Sequence, residues 1–265
     1  RNALRLVNII ENRFYIHYNQ TITSFACERT GQTTVFNISY DFTNNICKSS
    51  RALHPQKGQS MLYDTHMHTH HSGDSEAAVQ DMIESAIRKE LDGICFTDHF
   101  DYDYPDEPDL FLLDFDSYYK EIMSLQEKYK GRFPILWGVE IGLQPQIVDV
   151  NRCTTSRYPF DFVIGSSHVV HGVDPYYPKY YEGRTEHEAY LEYFESILEN
   201  LHTDADFDVY GHIDYVVRYG PNRNEDYSYK KYADIIDEIL RTLIDMGRGI
   251  EINTGGFKYG LGHPN

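Results

Sequence analysis

The sequence predicts an α/β protein built around parallel β-strands, arranged either as a barrel or as an open sheet. From Met61 onward, short apolar segments alternate with amphipathic helical segments, the pattern of parallel strands joined by crossover helices. A chain of 265 residues is an ordinary length for a single β/α barrel. Candidate metal ligands stand at the end of almost every predicted strand.

The overall composition narrows the classes of partner. The formal net charge of −17 is poorly suited to a nucleic-acid backbone, which selects faces rich in Lys and Arg. It is compatible with a small phosphorylated substrate, because metal ions and a few cations can neutralise one phosphate. No apolar run is long enough to span a membrane and no start resembles a secretory signal. We therefore expect a cytoplasmic protein with no membrane or nucleic-acid partner, of unknown oligomeric state.

The first sixty residues differ from the rest. The chain begins at Arg1 rather than Met, and residues 1–60 show no sustained helical or strand period. The regular pattern starts at Met61, which has the appearance of a natural initiator. We expect residues 1–60 to be a disordered extension or non-native upstream sequence, and residues 61–265 to be the folded domain.

The elements of this domain follow from apolar periodicity and from capping residues. The sequence predicts strands at residues 62–66, 93–96, 134–139, 160–164, 207–210 and 249–253. Ser75 and Asp116 are the expected N-caps of the first two helices. Thr185 and Glu188 form a capping-box pattern that starts a helix running to Leu201. A long helix is predicted at residues 229–246, where Gly247 ends it.

Histidines and carboxylates follow these strands in a regular way. In a parallel β/α barrel the C-terminal strand ends converge on one face, where active sites are built. A single strand-end histidine is more typical of a hydrogen-bonded loop residue, but five successive strand ends carry such residues. The groups are Asp64-Thr65-His66-Met67-His68 with His70, His71 and Asp74 behind it, then Thr97-Asp98-His99, Gly138-Val139-Glu140, Ser166-Ser167-His168 and Gly211-His212-Ile213-Asp214.

The residue types suit a site for divalent metal ions. Two histidines at His-x-His spacing on an extended strand point the same way, because side chains alternate with period two. Imidazoles mixed with carboxylates fit Zn²⁺, Mn²⁺ or Fe²⁺ without selecting one of them. A bridging carboxylate such as Glu140 can hold two ions about 3.5–4 Å apart, the separation used to clamp attacking and leaving oxygens.

In order and spacing, these motifs resemble the PHP superfamily, and within it the histidinol-phosphate phosphatases of the bacterial monofunctional type. The resemblance covers the chain from Met61 to its C-terminus. It implies a distorted, TIM-like β/α barrel and a trinuclear metal site in which Glu140 bridges. Asp74 favours the histidinol-phosphatase branch, since other branches use histidine there. The ligands implied are His66, His68, Asp74, His99, Glu140, His168 and His212.

The resemblance also implies phosphate contacts, and the sequence departs from the family pattern at its C-terminal end. Arg218 follows the Gly-His-x-Asp motif where the family places an arginine, and Lys258 stands where a second arginine is usual. The family's final strand carries a Ser-Asp-x-His motif, but the sequence stops at Asn265 before such a strand. We therefore expect a C-terminal truncation, with a barrel that lacks its last strand and helix.

The implied activity is hydrolysis of a phosphate monoester, L-histidinol phosphate in histidine biosynthesis, with His66, His68, Glu140 and Arg218 as catalytic residues. An acidic loop over residues 101–109 could line a mouth for a cationic substrate amine, or be a solvated run of charges. Three alternatives stay open: another PHP phosphoesterase such as a polymerase-associated exonuclease, an amidohydrolase-type barrel, and a catalytically silent metal-binding module.

Overall fold

Seven parallel strands form one curled sheet, a half-barrel, in the computed structural model, which describes residues 62–262 in full and the backbone of residues 13–15, 24–29 and 32–37. The strands of this sheet are β4 Tyr63–Asp64, β5 Gly93–Phe96, β6 His99–Phe100, β7 Ile135–Gly142, β8 Phe162–Ser166, β9 Val209–Tyr210 and β10 Gly249–Ile250. Their order across the sheet is β4, β5, β7, β8, β9, β10, and β6 also pairs with β7. The α/β fold with a TIM-like parallel sheet is thus confirmed.

A second, three-stranded antiparallel sheet lies in the N-terminal part. Its strands are β1 Arg13–Tyr15, β2 Ser24–Arg29 and β3 Gln32–Asn37, in the order β1, β2, β3. The other residues of the predicted extension lie outside the described residues, and so does Met61, the predicted first residue of the folded domain. The division at residue 60 stays a prediction.

Helices connect the parallel strands as the alternating pattern predicts. They are α1 Val79–Arg88, α2 Phe115–Tyr129, α3 Val148–Arg157, α4 Glu186–Leu201, α5 Ala233–Met246 and the short α6 Gly255–Lys258. None of the helices in the described part of the chain is long and apolar enough to cross a membrane.

The centre of the sheet is apolar on both faces. Every residue of β5, β7 and β8 is buried, which is the composition expected of parallel strands covered on both sides. Trp137 of β7 packs against Phe160, at 4.4 Å between ring centroids, and against Tyr118 of α2. The Tyr118 hydroxyl donates to the Gly138 carbonyl oxygen and so ties α2 to β7. These contacts fix the strand that occupies the middle of the site.

Two helix starts differ from prediction. Helix α1 begins at Val79 with Ala78 at its N-cap, and the Ser75 hydroxyl instead donates to the His68 carbonyl oxygen within the preceding loop. Helix α2 is capped by Asp114, whose Oδ1 accepts from the Ser117 amide, so the prediction of Asp116 was wrong by two residues. For α2 a second residue able to cap lay two positions earlier, whereas α1 begins with no side-chain cap at Ala78.

The bounds of helices α4 and α5 agree more closely with those predicted from the sequence. Helix α4 has the predicted capping box between Thr185 and Glu188 and ends at Leu201. Gly247 follows α5 in the left-handed region, with φ 69°. Residues 229–231 form a separate 3₁₀ turn, so α5 begins at Ala233 instead of continuing from Tyr229.

Candidate active site

Glu140 is the centre of the site. It lies in β7, its residue is fully buried, and it stands beside His99 of β6 in the sheet register. Its Oε2 atom lies 3.0 Å from His66 Nε2, 3.1 Å from His68 Nε2 and 3.3 Å from His99 Nδ1. One carboxylate oxygen therefore faces three imidazoles.

The other oxygen of Glu140 faces two more imidazoles. Oε1 lies 3.2 Å from His168 Nε2 and 3.2 Å from His212 Nε2, and it accepts a hydrogen bond of 2.6 Å from the Ser166 hydroxyl. His168 follows β8 and His212 follows β9. The convergence of strand ends predicted from the sequence is what places these side chains together.

Asp74 lies on the solvent-exposed side of the cluster. Its Oδ2 atom lies 3.0 Å from His68 Nδ1 and 3.8 Å from His99 Nε2. Its side chain is 43% exposed, so the cluster opens to solvent here. With Asp74, the structure brings together all seven residues predicted as metal ligands.

Two further carboxylates hold the imidazoles from behind. Asp101, whose side chain is 2% exposed, places Oδ1 2.7 Å from His168 Nδ1 and Oδ2 3.1 Å from His99 Nδ1. Glu251, directly after β10, places Oε2 2.8 Å from His66 Nδ1 and accepts from the His212 amide with Oε1. These contacts fix ring orientations.

Neither residue was predicted from the sequence as part of the site. Asp101 was expected either at an acidic mouth or in a solvated run of charges, but the structure buries it beside His168 and His99, so it belongs to neither. The signal was present: Asp101 stands two residues after His99 in extended backbone and hence on the same side. Glu251 lies in the middle of the last predicted strand, residues 249–253, but the observed strand ends at Ile250, so Glu251 follows a strand end as the other site residues do. Asp103, Asp106, Glu107 and Asp109 of the same acidic loop are exposed.

The charges of the cluster depend on one another. Burial raises the pKa of Glu140, but the imidazoles of His66, His99 and His168 outweigh it and hold that pKa well below its usual value. Burial alone lowers the pKa of His66, yet Glu140 and Glu251 raise it to about 10. Burial raises the pKa of Glu251, but the charge of His66 outweighs it and lowers that pKa to about 2. The site is therefore built around ionised carboxylates.

The arrangement fits bound cations better than a closed hydrogen-bond network. Among the buried atoms of the described residues, Glu140 Oε2 and His68 Nε2 form no hydrogen bond, although they are 3.1 Å apart. Buried polar atoms are normally satisfied. Atoms that face a common point without pointing at each other are suited to a shared metal ion.

Arg218 lies beside this cluster. It ends a 3₁₀ turn, Tyr215–Arg218, that follows His212, and its residue is 8% exposed. Its guanidinium carbon lies 5.5 Å from the ring centroids of Tyr215 and Tyr259. The charge of Arg218 contributes to a lowered pKa of His212, about 4, for which burial is the larger cause.

Lys258 has a different setting from Arg218. It is exposed on α6, with Nζ 5.9 Å from the Tyr259 ring centroid. Among the described residues no contact joins Lys258 to the cluster around Glu140. Its role in binding substrate stays a prediction.

Comparison with known proteins gives consistent matches. The family model described as PHP domain matches residues 64–255. The chain is 37% identical over 194 residues to a probable histidinol-phosphatase of Clostridium acetobutylicum, covering 73% of each protein. It is 34% identical over 193 residues to a histidinol-phosphatase of Lactococcus lactis, covering 72% of this chain and 71% of that protein.

A solved structure matches as well. The crystal structure of histidinol phosphate phosphatase from Lactococcus lactis, complexed with zinc, L-histidinol and phosphate, superposes with a TM-score of 0.71 at 33% identity. The superposition covers 74% of each chain. That protein binds zinc and the two products of histidinol phosphate hydrolysis on the same fold.

Replacing Asp101 with asparagine tests the carboxylates behind the imidazoles. Asp101→Asn removes the charge that holds His168 and His99, so we expect zinc affinity to fall about 10–100-fold. The measurement is competition with a chromophoric chelator, with far-UV circular dichroism as a check on folding. Asp103→Asn, an exposed change of the same chemistry in the same loop, is the control. Equal affinities for the two variants would contradict the orienting role of Asp101.

Proposed function

The chain belongs to the PHP domain family, and on that premise we propose that it hydrolyses L-histidinol phosphate to L-histidinol and phosphate, a step of histidine biosynthesis. It is a phosphoric monoester hydrolase. The observation that carries the proposal is the convergence of His66, His68, His99, His168 and His212 on the two oxygens of Glu140.

We propose that this cluster holds three divalent ions, of zinc, manganese or iron. The ligand atoms available for them fall into three overlapping groups: His66 with His68 and Glu140, His68 with Asp74 and His99, and His99 with Glu140 and His168. Glu140 belongs to two of these groups and would therefore be the carboxylate that bridges ions. When bound, such ions lower the pKa of a water molecule towards neutrality and so supply the nucleophile.

The protein side chains have separate tasks in this proposal. His66 and His68 are rigid ligands, because Glu251 and Asp74 occupy their second ring nitrogens. Glu140 keeps its negative charge at all pH values near neutrality, since its pKa lies well below the usual value after burial is outweighed by the imidazoles. It can therefore remain a ligand without competing for the proton of the attacking water.

Arg218 is the proposed phosphate contact. The rings of Tyr215 and Tyr259 hold its guanidinium group, which restricts the side chain before substrate arrives. A planar guanidinium can offer two parallel N–H groups to phosphate oxygens. It would offset the negative charge that builds on those oxygens as the ester bond breaks.

The leaving alcohol would lie towards the acidic loop. Phe111, two residues after this loop, has its ring centroid 4.8 Å from that of His99 and forms an apolar wall beside the cluster. The Tyr104 hydroxyl donates to Asp174 at 2.6 Å, and Lys179 pairs with Asp106, so the loop is joined to the segment after His168. Exposed carboxylates on this loop suit the cationic amine of histidinol.

Loss of His68 should abolish turnover. In His68→Ala one ligand of two overlapping groups is gone, so phosphate release from histidinol phosphate with Zn²⁺ or Mn²⁺ supplied should fall by more than about 100-fold, beyond the effect of residues behind the ligands. The measurement is colorimetric phosphate release. His202→Ala, an exposed change of the same kind at the end of α4, should keep the parent activity.

The same assay tests the identity of the substrate separately from the phosphoesterase activity. Cleavage of an aryl phosphate without cleavage of histidinol phosphate would discard the histidinol assignment and keep a phosphoesterase. No cleavage of either, with metal bound, would favour the silent metal-binding module.

Arg218→Lys tests the phosphate contact. A lysine keeps the charge but loses the two-pronged donor, so kcat/KM should fall about 10–100-fold, the worth of one charge-assisted hydrogen bond. Inhibition by inorganic phosphate should weaken by a similar factor. Arg241→Lys, in an exposed pair with Asp237 on α5, is the matched control. An unchanged phosphate inhibition constant in Arg218→Lys would contradict the contact.

A further inference from the structure

Two histidines of the first site loop do not join the cluster around Glu140. His70 and His71 lie between the ligands His68 and Asp74 in sequence, but their rings turn towards helix α2. There, His71 Nε2 lies 2.9 Å and His70 Nε2 lies 3.3 Å from the same oxygen, Oε2 of Glu121. The proposed function leaves all three residues unused.

The three side chains form a cluster in which His71 is buried and fixed, whereas His70 and Glu121 are accessible to solvent. The His71 side chain is 7% exposed, its ring lies 5.2 Å from that of Tyr118, and its amide donates to the Thr69 hydroxyl. The side chains of His70 and Glu121 are 43% and 35% exposed. A cation could therefore enter from solvent and meet a histidine already held in place.

The longer of the two distances to Glu121 matches that between ligands in a coordination shell, and the shorter is a hydrogen bond that a cation would replace. In tetrahedral zinc sites bonds of about 2.0–2.2 Å place neighbouring ligand atoms about 3.3–3.5 Å apart. The two Nε2–Oε2 distances are 2.9 and 3.3 Å, and all three ligand atoms lie within 4.8 Å of one another. Only small side-chain movements would be needed to seat an ion between them.

The donor set also indicates the class of ion. Two neutral imidazoles and one carboxylate are borderline ligands, which suit Zn²⁺ and similar transition metals rather than Mg²⁺ or Ca²⁺. Without a cation, the Oε2 atom of Glu121 faces the Nε2 atoms of both imidazoles. With a cation bound, each of the three side chains would donate one lone pair to it, and a water molecule could take the fourth position.

We propose that His70, His71 and Glu121 form a separate zinc-class metal site, outside the cluster around Glu140. An ion there joins the middle of the first site loop to α2. The loop is already fixed at one point, because the Thr69 amide and hydroxyl donate to buried Asp98. The added link braces the segment that carries His68 and Asp74, so the site has a structural role.

The test is a count of bound zinc. Parent protein, Glu121→Gln, His70→Ala and the control Glu127→Gln are equilibrated in the same zinc buffer and analysed by native mass spectrometry. Glu127 lies on α2 with a 73% exposed side chain, so its change matches Glu121→Gln in chemistry and element. We expect Glu121→Gln and His70→Ala to bind one zinc ion fewer than the parent and the control.

A second readout is the thermal stability that an ion at this site would add. At zinc concentrations beyond those that fill the remaining sites, the melting temperature of the parent and the control should keep rising, and that of the two site variants should not. Equal zinc counts in all four proteins would overturn the proposal and leave a hydrogen-bonded surface cluster. Because His70 is partly exposed, His70→Ala keeps the test decisive even if Glu121→Gln folds poorly.

Discussion

A single buried carboxylate organises this protein. Burying the charge of Glu140 is costly unless it is paired, and the structure pairs it with five imidazoles that lie on, or directly after, four other strands of the sheet. Glu140 can reach all of them because β7 lies in the middle of the sheet, with β5 and β6 on one side and β8 on the other. The apolar, fully buried composition of β7 is thus a requirement of the site as well as of the fold.

The carboxylates behind the imidazoles add constraints of their own. A Cβ atom on Gly142 would stand 2.1 Å from Asp101 Oδ1, so only glycine lets this carboxylate reach His168 and His99. On the far side, Glu251 joins β10 to the loops of His66 and His212. Outer charges of this kind fix ring orientation and make the imidazoles stronger ligands. The geometry of the site therefore depends on residues with no predicted role.

The strands, the residues at their ends and the bounds of helix α4 could be predicted closely from the sequence. Helix starts, helix α3 and the inward-facing carboxylates could not, because the local pattern of residues was ambiguous there. Strand-end residues such as His212 were found because parallel topology brings them together. Helix α3 was missed because its buried positions hold Asn151 and Thr154 instead of an apolar stripe. The inward turn of Asp101 agrees with its two-residue spacing from His99, but it also needs the space beside Gly142, which the sequence does not reveal. Membership of the PHP family and the match to a histidinol phosphatase agree with the part that could be predicted.

The proposal that the two oxygens of Glu140 would bridge metal ions is tested most directly by anomalous diffraction at the zinc absorption edge from crystals grown with zinc. The account predicts separate peaks within bonding distance, about 2.0–2.2 Å, of each Glu140 oxygen, with histidine nitrogens completing each shell. Well-ordered crystals with no peak near either oxygen, or with zinc bound only elsewhere on the surface, would contradict it.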